Sequence, residues 1–132
     1  MKNGGVVDAS QASVTSKVNK NTNSKEFEIS SKNPKENDAT WVGFVMKPVD
    51  GASDITTAVY NKDGKLVGQP MKQPVPEGAD QADVILPTPT NGHHMRVVVT
   101  PKSANKPVTA EIASVIGCIT PIDEGLYFCL IS

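Results

Sequence analysis

Aromatic residues are scarce in this chain: Phe27, Trp41, Phe44, Tyr60, Tyr127 and Phe128 are all it has in 132 residues. So few exclude a run of stacking platforms for single-stranded nucleic acid, which lays successive bases on aromatic side chains. An excess of one charge sign is missing too. Thirteen basic residues face 14 acidic ones, a net charge of −1, and no basic stripe offers the phosphate neutralisation that nucleic-acid binding requires. No stretch comes near the ~20 consecutive apolar residues that a membrane-spanning helix needs. The first twenty residues lack the apolar segment of a secretory signal. The start at Met1-Lys2-Asn3-Gly4-Gly5 is read as a cut-out from a longer secreted precursor, with a cytosolic protein as the alternative. Asn-x-Ser/Thr sequons are also absent, so N-glycosylation gives that reading no support.

Cysteine is nearly absent as well. Cys118 and Cys129 are too few for a structural zinc site. Their spacing suits a disulfide across a hairpin, with two separate buried thiols as the alternative. A disulfide would place the chain in an oxidising compartment.

What remains is the pattern of an all-β protein. No segment carries a helical hydrophobic period, and ten prolines and ten glycines punctuate short alternating runs. Residues 1–24 read as a flexible leader or, in part, an edge strand such as Val14–Val18; residues 25–132 read as one β-sandwich domain. Lys25–Ser30 alternates polar and apolar positions, and Thr40–Met46 is rich in β-branched and aromatic residues. Thr56–Tyr60 and Lys65–Gly68 flank Asn61-Lys-Asp63-Gly64, where glycine supplies the positive φ that a tight hairpin demands. Gln81–Leu86 is expected to end at Pro87 and Pro89, since proline cannot donate to a ladder. His94–Thr100 is the clearest strand, and Val108–Ile116 follows. The apolar tail Leu126–Ile131 calls for a pairing partner or an interface. Strands at this spacing predict an antiparallel β-sandwich, with a jelly roll as its expected form.

Gly92-His-His94-Met95-Arg96-Val-Val-Val-Thr100-Pro101, followed by Val108-Thr-Ala-Glu111-Ile112 and Val115-Ile-Gly117-Cys118, resembles the close of discoidin-like domains, the coagulation factor 5/8 type C family of galactose-binding-like sandwiches. Small sandwich units of extracellular mucin-like adhesive proteins look similar. The likeness covers residues 92–118. It departs from the family in having no early cysteine and no tryptophan-rich opening. The resemblance implies a jelly-roll sandwich whose loops at one end bind glycans, lipids or matrix proteins. It also implies a structural calcium at Glu111, with Asp38 facing it; ordinary turn and surface roles explain the same acidic residues.

No constellation for catalysis stands out. There is no nucleophile elbow, no metalloprotease motif and no grouping of nucleophile with base. Candidate ligand contacts are Trp41 and Tyr60 for stacking, Arg96 for hydrogen bonding, and the imidazole pair His93 and His94. Adjacent strand positions point to opposite faces, so that pair suits one metal only from a loop. The sequence therefore predicts an extracellular, non-catalytic recognition or adhesion module for a glycan or matrix protein. The alternatives are a structural unit that self-associates and, less favoured, an enzyme or accessory subunit.

Overall fold

A computed structural model describes residues 12–31, 39–61, 63–91, 94–119 and 128–131. Nine strands are described: β1 (Ala12–Val18), β2 (Lys25–Ser31), β3 (Ala39–Asp50), β4 (Ala52–Tyr60), β5 (Leu66–Pro74), β6 (Ala82–Asn91), β7 (His94–Pro101), β8 (Thr109–Ile119) and β9 (Phe128–Ile131). They form two antiparallel sheets, β1-β2-β7-β4-β5 and β6-β3-β8-β9. Two-residue alternation decides the layering. On β7, Met95, Val97 and Val99 are fully buried while His94, Arg96 and Val98 face the other way. Phe27 and Ile29 of β2 and Ile55 and Val59 of β4 join them from the same sheet. Phe44 and Met46 of β3, Val84 of β6 and Ala110 and Val115 of β8 meet them from the opposite sheet.

The antiparallel sandwich is thus as the sequence predicts. The edge strand β1 places residues ahead of Lys25 in the five-stranded sheet.

Prolines end fewer strands than the sequence suggests. β5 runs through Pro70 to Pro74, and β6 continues past Pro87 and Pro89 to Asn91. Both are edge strands among the described residues, so one side of each ladder has no partner there and a missing N–H costs little. On β6 the register with β3 also shifts between Gly43↔Ile85 and Trp41↔Thr90, and both prolines fall inside that shift.

Two local devices hold the frame. Gly43 lies so close to β6 that a Cβ there would stand 2.1 Å from the Val84 carbonyl oxygen, which only glycine permits. Lys25, at the start of β2, reaches across to the other sheet. Its Nζ donates to the Ala110 carbonyl at 2.8 Å and to Glu111 Oε1 at 2.6 Å, and lies 5.3 Å from the centre of the Phe27 ring. Only 14% of the Lys25 side chain is exposed, so its stem covers the core edge while its charge is neutralised.

Candidate functional site

The antiparallel register lays the outer face of the five-stranded sheet out in rows. One row reads Ser13, Ser30, His94, Tyr60 and Leu66 from β1 to β5. The neighbouring row reads Thr15, Glu28, Arg96 and Ala58. Three of the residues singled out from sequence, Tyr60, His94 and Arg96, therefore converge on one patch.

Tyr60 and His94 are cross-strand partners, and their rings stack at 4.9 Å between centroids with 11° between planes. That spacing matches the gap between adjacent strands, so the pleat itself sets the stack. Because β7, β4 and β5 lie in that order, the Tyr60 face turned away from His94 looks towards β5 and Leu66. Tyr60 is the last residue of β4, and the turn after it is tightly specified. The Asn61 side-chain carbonyl accepts from the Asp63 and Lys65 N–H groups, its backbone N–H donates to the Lys65 carbonyl, and Gly64 takes φ 79°.

Arg96 Nε donates to Glu28 Oε1 at 2.9 Å, and the other carboxylate oxygen lies 3.8 Å from His94 Nε2. Glu28 raises the Arg96 pKa above its ordinary value, through the hydrogen bond first and charge attraction second. All three polar side chains are partly open to solvent, so the pair is an accessible donor–acceptor array. Glu28 escapes a sequence search because its partner lies 68 residues away. The signal present was its outward parity on the Lys25–Ser30 strand.

The other predicted residues do not join this patch. Trp41 sits in β3 of the opposite sheet, in register with Thr90 and Gly117. His93 and Asp38 lie outside the described residues. The Glu111 carboxylate is engaged by Lys25, and among the described residues no group of three His, Cys, Asp or Glu side chains is gathered as a metal would need. Cys118 and Cys129 are register partners in the β8–β9 pair.

A cleft of about 230 Å³ lies at the opposite end of β4, between Pro48–Ala52, Val75–Asp80 and Lys102. The Lys102 N–H donates to the Gly51 carbonyl at its edge, and the Val75 N–H to that of Ser53. Asp50 and Asp80 are exposed there, so their charges are well solvated. The length of β4, from Ala52 to Tyr60, separates the cleft from the aromatic stack by roughly 25 Å at strand rise.

No family model matches the chain and no curated protein matches it, so the discoidin-like resemblance stands without a family behind it. One solved structure aligns over 96% of this chain with a TM-score of 0.40 and 15% identity. It is described as the complete structure of manganese lipoxygenase of Gaeumannomyces graminis and partial structure of zonadhesin of Komagataella pastoris. This chain spans about half of that one, 47% of its length. At that score the likeness carries no assignment of function.

Proposed function

We propose that this protein is a non-catalytic recognition module of secreted or cell-surface origin, which binds a glycan on the outer face of its five-stranded sheet. The Tyr60–His94 stack beside the Glu28–Arg96 pair carries the reading. A sugar presents an apolar C–H face and a rim of hydroxyls that both donate and accept. The part-exposed Tyr60–His94 stack, flanked by Leu66, offers an apolar surface for the first, and a half-exposed carboxylate and guanidinium suit the second. The residues stand on paired strands rather than on loops, so little ordering is needed on binding. The sequence reading put recognition in the loops at one end; the proposal moves it to a sheet face bordering the β4–β5 turn. Net charge near zero favours a neutral or weakly charged ligand over a polyanion.

A glycan array probed with the wild-type chain tests this. Binding that disappears in Tyr60→Ala and Arg96→Ala but persists in Trp41→Phe supports the sheet-face site. A blank array sinks it, and loss confined to the Trp41 variant moves the site to the other sheet.

One observation favours self-association instead. Edge strands carry exposed apolar side chains, Val14 at 41% and Val18 at 46% on β1 and Ile85 at 54% on β6. Edge-to-edge pairing between copies would cover them. Sedimentation showing only monomer at high concentration removes this reading.

A further inference from the structure

We propose that Cys118 and Cys129 form an intrachain cross-strand disulfide that staples β9 to β8. The β8–β9 ladder pairs Ile116 with Ile131, Gly117 with Leu130, Cys118 with Cys129 and Ile119 with Phe128. The two cysteines are therefore directly opposite, not diagonal. Directly opposed residues of an antiparallel pair have Cα atoms roughly 4.5–5.5 Å apart, in either kind of ladder position. A disulfide spans about 4.4–6.8 Å between Cα atoms, so no backbone movement is required. Cross-strand partners also share one side of a sheet, so the register places both cysteines on the same face.

The bond forms by exchange with a low-molecular-weight disulfide such as oxidised glutathione. One cysteine thiolate attacks the reagent's sulfur, forms a mixed disulfide and releases one glutathione thiol. The second cysteine, as thiolate, displaces the other glutathione. The chain gives up two electrons and two protons, and one oxidised glutathione becomes two reduced ones.

The closed loop holds only the ten residues between the cysteines. A loop this short constrains the unfolded chain modestly. The main effect is local. β9 has four residues and lies at the edge of its sheet, with four ladder partners to hold it. A slip of one residue would turn Cys129 to the other side, so the bond fixes register as well as attachment. It also keeps the β9-facing edge of β8 covered against pairing with another chain.

The test equilibrates the full chain with a glutathione redox couple, denatures it in an alkylating reagent without reductant, and reads the mass. The expected product is a monomer lighter than the dithiol by two hydrogens, with no label at either cysteine. Cys118→Ser and Cys129→Ser should each leave one thiol that takes label. Hydrogen exchange at Phe128–Ile131 should quicken on reduction of the wild-type chain while exchange in β2 and β7 does not. Two labelled thiols under oxidising conditions overturn the proposal, as does a disulfide between chains or a persistent glutathione adduct. The wild-type comparison stands even if a serine variant does not fold.

Discussion

The two faces of β7 differ sharply in burial and in chemistry. Met95, Val97 and Val99 look inward and are wholly excluded from water, whereas His94 and Arg96, one residue removed from them, meet Glu28 and Tyr60 at the surface. One strand thus divides its labour by parity: odd positions hold the sandwich together, and even positions carry the proposed recognition chemistry. The division works because a pleated strand separates its neighbours completely. A change at one position can then be read without much spill into the other.

Met95→Ala breaks this comparison hardest. Removing a buried side chain that cannot be replaced by solvent should cost about 2–5 kcal/mol in urea unfolding, while the adjacent Arg96→Ala should stay within about 1 kcal/mol. Equal costs would mean that the two faces are not energetically separate. Gly43→Ala comes next. It adds a methyl 2.1 Å from the Val84 carbonyl oxygen, so the β3 or β6 backbone must shift, and overpacking of this kind should destabilise by about 1–3 kcal/mol. A neutral result would place β3 further from β6 than described.

Thr57 sharpens the comparison with the opposite sign. It sits on the inner face of β4 at 2% exposure, and its hydroxyl has no hydrogen-bond partner among the described residues. Thr57→Val removes a buried polar atom while keeping the branched shape, and should raise stability by about 1 kcal/mol, measurable as a higher Tm. A drop in Tm would show that the hydroxyl is satisfied. The smallest effect belongs to the outer face. A double-mutant cycle with Glu28→Gln and Arg96→Gln should give a coupling of about 0.2–1 kcal/mol that shrinks with added salt. A larger, salt-insensitive coupling would assign the pair to structure and take it away from ligand binding.

Much of the fold was legible because strand signals are local. The alternation of Lys25–Ser30 and His94–Thr100 and the Asp63-Gly64 turn each depend on residues a few positions apart. Where those signals misled, at Pro87 and Pro89, the missing fact was that β6 is an edge, and a strand's place in a sheet is not a local property. The site divides in the same way. Tyr60, His94 and Arg96 could be named from residue type and position, but nothing in the sequence pairs β7 with both β2 and β4. That pairing alone brings Glu28 to Arg96 and the Tyr60 ring onto His94.

The sequence by itself determined the all-β class, the turn after Tyr60 and which side of each clear strand is apolar, because alternation and glycine placement act over a few residues. Tertiary structure alone decided which polar faces became neighbours and that Lys25 engages Glu111. Those juxtapositions depend on strand order and register, which are set when the whole core closes and not by any single segment.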